Sequence, residues 1–228
     1  MISIIIPTFN EAGYIGNLID YLKKYAGASA IEIIVSDAGS LDETTAIAAD
    51  AGAKVLHSPK KGRAAQMNFG ASVASGTIFY FVHADCIPPK SFTVDLKNAV
   101  QNNFDAGRYR TQFMSNRFLL RLNAFFTSFD LFVCYGGDQT FFITRQHFKK
   151  LNGYDETKII MEDYDITERA KKIGRYKIMN KPVLVSARKY DNNGWLSVQK
   201  ANYKAIKMYK RGMAASLIAQ AYKTNIKL

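Results

Sequence analysis

Residues 1–11 read Met1-Ile2-Ser3-Ile4-Ile5-Ile6-Pro7-Thr8-Phe9-Asn10-Glu11, and this opening decides the fold. Residues 2–6 form a nearly continuous β-branched run. That is the pattern of a strand covered on both faces, not of one alternating between core and solvent. Pro7 stops the run, and polar residues come at once after it. Ile15, Leu18, Ile19, Leu22 and Tyr25 then recur at helical spacing until Gly27 ends the pattern. The alternation repeats downstream. Residues 31–35 read as a strand, and Ser40 with Glu43 makes a capping box for a helix through Ala51. Residues 53–56 read as a strand, 62–75 as a helix and 77–82 as a fourth strand. Strand–helix–strand repetition at this spacing predicts an α/β chain with a mostly parallel, Rossmann-like sheet and helices on both faces.

The rhythm changes after Asn102. Strand patterns at 109–113 and 140–143 frame a long apolar helical stretch, 118–133. Residues 145–151 and 164–173 read as short helices, 175–179 and 183–187 as late strands, and 196–211 and 213–222 as closing helices. The later strands are expected to form a small antiparallel extension. No polar linker separates independent units, so residues 1–228 are expected to form a single domain in three parts: 1–102, 103–195 and 196–228.

Composition narrows the function. The chain has 228 residues, 48% of them hydrophobic and 22% charged, which excludes a disordered or low-complexity protein. A chain of this length buries roughly 70–75% of its unfolded surface. Two cysteines, Cys86 and Cys134, exclude a disulfide framework and a four-thiolate zinc site, and fit a reducing compartment. The formal net charge of +12 favours anionic partners such as nucleotides, phosphates, nucleic acid or an acidic membrane face. Met1 opens directly onto the apolar strand, so no cleaved leader is expected. No run of 18 apolar residues predicts a membrane span. A cytoplasmic location is expected, with a peripheral place on the inner face of the cell membrane left open.

In open parallel sheets, ligands bind beyond the carboxyl ends of the strands. Four such ends carry polar residues: Pro7-Thr8-Phe9-Asn10-Glu11, Ser36-Asp37-Ala38-Gly39-Ser40, Lys60-Lys61-Gly62-Arg63 and His83-Ala84-Asp85. Each alone is as well explained by a turn or helix cap. Four on one sheet edge are a stronger signal. Asp37 is able to accept a hydrogen bond from a base imide or a ribose hydroxyl. Arg63, at a helix start, suits phosphate. Asp85 offers a hard oxygen to a divalent cation bridging phosphates, or simply makes a turn before Pro88-Pro89. Both the P-loop motif and the Gly-x-Gly-x-x-Gly fingerprint after the first strand are missing.

Taken in order, these motifs resemble those of family 2 glycosyltransferases with the GT-A fold. Pro7–Glu11 resembles the family's opening motif. Ser36-Asp37-Ala38-Gly39-Ser40-Leu41-Asp42-Glu43-Thr44 resembles Asp-Gly-Ser-x-Asp-x-Thr. His83-Ala84-Asp85 stands where the family carries Asp-x-Asp, and Glu162-Asp163 resembles the acidic pair that includes the catalytic base. A narrower resemblance rests on Gly62-Arg63-Ala64-Ala65-Gln66-Met67-Asn68, Gly137-Asp138-Gln139 and Ser186-Ala187-Arg188. It points to a bacterial subgroup associated with radical-SAM genes and arsenosugar biosynthesis.

The resemblance implies an inverting transfer of sugar from a nucleoside-diphosphate sugar, most often a UDP-sugar, to an acceptor hydroxyl. It implies a nucleotide-binding half at 1–102 and an acceptor and catalytic half at 103–195. Pro7, Thr8, Glu11, Asp37, Arg63, His83 and Ala84 would line the nucleotide site, and Asp85 would hold Mg²⁺ or Mn²⁺. Asp163, with Glu162, would serve the chemistry. Asp138, Gln139 and Arg188 are candidates for the acceptor or the diphosphate. His83 departs from the family's usual Asp. Against this stands the plainer reading that Glu162, Asp163 and Asp165 simply complement a helix dipole. Arg188, likewise, is as readily placed in a structural ion pair.

Lys200, Lys204, Lys207 and Arg211 recur at helical spacing opposite Val198, Ala201, Ala205 and Met208. This reads as a core-packed helix with a solvated basic side. The sharper reading is contact with anionic lipid, to which the aromatic stretch 118–126 adds. That stretch equally suits an acceptor wall or a homodimer interface. The acceptor, small or lipid-linked, is left open. Nucleic acid is not expected, because no zinc finger, RRM or KH signature is present. Two other functions stay in view: a sugar-nucleotide nucleotidyltransferase, and a non-catalytic basic binding module on the same fold.

Overall fold

The computed structural model of the chain describes residues 1–136 and 139–226. Among these, eight strands form one sheet in the order β3-β2-β1-β4-β7-β6-β8-β5. The strands are β1 (Ile2–Thr8), β2 (Ile31–Asp37), β3 (Lys54–His57), β4 (Ile78–Phe81), β5 (Cys86–Ile87), β6 (Ala106–Phe113), β7 (Phe141–Thr144) and β8 (Tyr176–Val185). The helices are α1 (Ala12–Tyr25), α2 (Thr44–Asp50), α3 (Arg63–Val73), α4 (Phe92–Gln101), α5 (Phe118–Phe126), α6 (Arg145–Lys150), α7 (Glu162–Ile173), α8 (Arg188–Asn193), α9 (Trp195–Lys210) and α10 (Ala215–Lys223). β1 pairs in parallel with β2 and β4, β2 with β3, and β6 with β8. β7 runs antiparallel to both of its neighbours, and β5 antiparallel to β8. The sheet is therefore mostly parallel with an antiparallel part, as expected.

The opening run explains itself in this arrangement. Ile2, Ile4 and Ile6 point into the core cluster under α1 and α4, while Ile5 points into the cluster under α3, α6 and α7. Both faces of β1 are covered, so every position is apolar or small. Each fully buried aliphatic side chain contributes about 1.5–3 kcal/mol. Ile15, Leu18, Ile19 and Leu22 of α1 cover one face, and Ala64, Met67 and Ala71 of α3 the other.

Several sequence expectations need correction. β1 does not stop at Pro7 but runs to Thr8, pairing Pro7 with Ser36. β4 ends opposite Ile5, so Pro7 lies where one side of the strand has no ladder to donate to. The Ser40–Glu43 capping box does not form. α2 begins at Thr44 with Glu43 at the N-cap and no side-chain cap bond, and Asp42 accepts the Thr44 N–H instead. The stretch 118–133 is not one helix. It breaks at Thr127, whose hydroxyl donates to the Ala124 carbonyl and accepts the Thr111 N–H, and a single 3-10 turn comes next at Phe132–Cys134. The two late strands are one strand, β8, with a register shift against β6 at Tyr109/Arg110. Helices α4 and α8 add to the expected set.

Candidate active site

The carboxyl ends of β1, β2 and β4 and the exit of β8 meet at one rim, where the predicted residues sort into three groups. The first lies between β1 and β2. Their register sets Thr8 beside Asp37. Asp37 is buried, and its carboxylate accepts four hydrogen bonds: hydroxyls of Thr8 (2.9 Å) and Ser40 (2.5 Å), and backbone N–H groups of Gly39 and Ser40 (2.8 Å each). Burial alone would raise its pKa. The Ser40, Thr8 and Gly39 donors outweigh that and hold it below the usual carboxylate range. Four donors fill the lone pairs of a carboxylate. Asp37 therefore fixes the loop. Gln66 of α3 is a site residue that no sequence signal singled out within its motif. It donates to the Thr8 and Ser36 carbonyls (2.7 and 2.8 Å) and clamps both strand ends.

The second group forms around Arg188. The antiparallel pairing of β5 with β8 sets Cys86 opposite Val185, and the Ser186 N–H bonds the Asp85 carbonyl. This brings the start of α8 to Asp85. The Arg188 guanidinium then grips Glu11 through two nitrogens (2.6 and 3.0 Å) and lies 3.4 Å from Asp85 Oδ2. It also rests over the Tyr14 ring, 5.1 Å from its centroid. Hydrogen bonding to Glu11, and then the negative charge of Asp85, raise its pKa further still. His83 and Ala84 lie in the turn between β4 and β5, where the His83 carbonyl accepts the Cys86 N–H and Ala84 is buried in the core.

The third group is the acidic start of α7. Met161 precedes it in the left-handed region (φ 71°), a strained conformation for a non-glycine residue, costing of order 1–3 kcal/mol. The three carboxylates after it are not equivalent. Asp165 pairs with Arg169 four residues on (2.6 Å), and Arg169 ties back to the Leu151 and Gly153 carbonyls. This part is structural. Glu162, only 1% exposed, meets Arg63 Nε at 2.7 Å across the cavity wall. Asp163 lines the same wall. Their charge reaches the buried Tyr154, whose phenol is pushed well above its ordinary pKa first by burial and then by Asp163 and Glu162. Arg63 opens α3 behind Gly62, whose φ of +122° suits glycine alone.

These walls enclose a cavity of about 800 Å³. Phe9, Lys61, Arg63, Gln139, Glu162 and Asp163 are among its lining residues. β6, α5 and the C-terminal helices α9 and α10 close the rest, with Phe113, Phe126, Tyr190, Tyr203 and Ile206 facing in. Gln139 donates to the Cys134 carbonyl at 2.5 Å. Asp138 lies outside the described residues. Thr8, Glu11, Asp37, Asp85 and Arg188 do not line it themselves, although their chain neighbours Phe9, Ala38 and Lys189 do.

The profile of Glycosyl transferase family 2 matches residues 3–167. The chain belongs to this family. Glucosyl-3-phosphoglycerate synthase from Mycolicibacterium smegmatis is 32% identical over 96 residues, which cover 39% of this chain and 32% of that protein. The chain thus spans about a third of the length of that curated relative. Among solved structures, Staphylococcus aureus TarS 1–349 superposes with a TM-score of 0.66 at 17% identity, covering 97% of this chain and 69% of that one. Glucosyl-3-phosphoglycerate synthase from Mycobacterium tuberculosis, solved with Mn²⁺, UDP and glucosyl-3-phosphoglycerate, superposes at 0.60 with 18% identity, covering 93% and 80%. The fold is that of GT-A glycosyltransferases, and the family 2 profile ends inside α7, just past the acidic pair.

Among the described residues, no group of three or more His, Cys, Asp or Glu side chains gathers as a metal cage. Asp85 and Glu11 share Arg188 instead. This donor set fits an ion held by one or two carboxylates together with phosphate oxygens and water, the usual habit of Mg²⁺. It does not fit an ion bound by protein alone.

Proposed function

We propose that this chain transfers a sugar, with inversion, from a nucleoside-diphosphate sugar to an acceptor hydroxyl, and that UDP is the leaving nucleotide. One observation carries the reading: two buried carboxylates, Glu162 and Asp163, stand at the wall of a large cavity beside Arg63, bordered by polar strand ends. Paired buried carboxylates are costly unless they serve or are served by neighbours. Here Glu162 is engaged by Arg63, and Asp163, next to it on the cavity wall, is the carboxylate assigned to the acceptor.

In the reaction, the acceptor oxygen attacks the anomeric carbon and its proton passes to the Asp163 carboxylate. The bond from that carbon to the diphosphate oxygen breaks, and the diphosphate leaves with the electron pair. A positioned carboxylate contributes about 10²–10⁴-fold. Arg63 and Arg188 supply positive charge toward the diphosphate, and Glu11 orients Arg188. A divalent cation, Mn²⁺ or Mg²⁺, would be held by Asp85 with Glu11 beside it, and would neutralise diphosphate charge. The nucleoside would lie over Pro7, Thr8, Asp37, His83 and Ala84, with Gln139 toward the acceptor. Residues 1–228 act in this reading as one unit, with the nucleotide half supplied by 1–102 and the acceptor side by 103–195.

The support from relatives is one of kind: neighbours of the same fold bind UDP and Mn²⁺ together. The test is incubation with a panel of nucleotide sugars and Mn²⁺, monitoring nucleotide release and the anomeric proton signal of the product. Release of UDP with a product of inverted configuration is expected. A product of retained configuration, or release of pyrophosphate from UTP and a sugar phosphate, would overturn the reading.

A further inference from the structure

The segment from Met114 to Val133 exposes more large apolar side chains than a solvated surface requires. Phe118 is 74% exposed and Phe125 56%, and Met114, Leu119, Leu122, Phe126, Phe129 and Leu131 are also exposed. They form a patch and not a scatter. The Phe125 ring lies 5.8 Å from Phe126 and 5.2 Å from Phe129. α5 holds to the sheet by its opposite side, through Leu120, Ala124 and Thr127. A contiguous apolar patch of this kind marks a docking surface.

Charge selects the partner. Arg121 sits on the exposed side of α5, Arg117 at its N-cap pairs with Asp191, and Lys210 lies 4.6 Å over the Phe132 ring at the far end. Asp130, an acid within the segment, is already neutralised by Lys171 at 2.5 Å. Lys200, Lys204, Lys207 and Arg211 continue the basic character along the exposed side of α9. A second copy carrying the same +12 charge would bring like-charged rims together. An anionic bilayer meets both the aromatic patch and its basic border.

We propose that residues 114–133 dock this protein on the surface of an anionic lipid bilayer, with Phe118, Phe125 and Phe129 entering the headgroup boundary. Phe126 and Val133 belong to the exposed patch and also line the cavity, so the mouth of the site then faces the lipid. An acceptor hydroxyl carried at headgroup depth reaches Asp163 without leaving the membrane. This last step rests on the transferase reading; the docking does not.

The test is co-sedimentation of the full chain with vesicles of phosphatidylcholine alone and of phosphatidylcholine with phosphatidylglycerol. The expected result is binding to the anionic vesicles, weakened by salt. The double variant Phe118→Ser, Phe125→Ser should lose at least about tenfold in partitioning. Both residues are exposed, so the variant should keep the thermal unfolding and UDP affinity of the unaltered chain. Equal binding by the double variant, or none by the unaltered chain, would overturn the proposal. So would a dimer in solution that the double variant splits into monomers. Failure of the unaltered chain to bind UDP would count against the transferase reading and leave the vesicle result standing.

Discussion

At the residue scale, three carboxylates that look alike in sequence differ in their surroundings. Asp165 pairs with Arg169 and Glu162 with Arg63, while Glu162 and Asp163 both line the cavity. Asp163→Asn should lower turnover by about 10²–10⁴-fold with UDP affinity kept, measured by steady-state rates and calorimetry. Near-normal turnover would move the base elsewhere. Arg63→Met leaves Glu162 buried without its cation and should cost about 1–3 kcal/mol, since Arg63 is itself partly exposed. Adding Glu162→Gln should recover much of that loss in denaturant unfolding. Asp37 has a folded pKa below its unfolded value. Its contribution is present above the unfolded value near 4 and is lost as pH falls through the folded one. Asp37→Asn should therefore lessen the fall in stability with acid below about pH 4. An unchanged acid limb would deny Asp37 its place as the loop's anchor. Sequence alone marked Asp37, Glu162, Asp163 and Arg63. It did not show that Arg188 meets Glu11 at a separation of 177 positions, because only the β5–β8 pairing brings them together.

At the element scale, the legible parts were those with an unmistakable period. β1 and β2 arise from β-branched runs, β4 from an aromatic run and α1 from helical spacing. The less legible parts are set by partners distant in sequence. Phe92, Leu96 and Ala99 of α4 repeat at helical spacing, but the run is short and Pro88-Pro89 just before it signals a turn. The break after Phe126 depends on the Thr127 hydroxyl reaching Thr111, a contact no local pattern encodes. β8 looked like two strands because Asn180-Lys181-Pro182 interrupts its apolar run where the register shifts. The β6–β8 junction gives a sharp test. A Cβ at Gly107 would run into the Lys177 carbonyl and would lie 2.6 Å from the Phe142 ring. Gly107→Ala should cost at least about 1–3 kcal/mol, read as a lowered denaturant midpoint. An unchanged midpoint would contradict the register.

At the scale of the whole molecule, one rim collects what the sequence spread over nearly two hundred positions. The parallel half of the sheet supplies Thr8, Asp37 and Asp85 from successive strand ends, and the later half returns Asp163 and Arg188 to the same edge. Net positive charge suits both an anionic donor and an anionic surface. Arg188 pairs with both Asp85 and Glu11 at this rim. The decisive measurement is calorimetric titration of UDP, with and without Mn²⁺, into the unaltered chain and into Asp85→Ala. A nucleotide rim of this kind should bind UDP more tightly with Mn²⁺ in the unaltered chain, and Asp85→Ala should lose that strengthening. A response to Mn²⁺ that Asp85→Ala leaves intact, or no UDP binding at all, would contradict it.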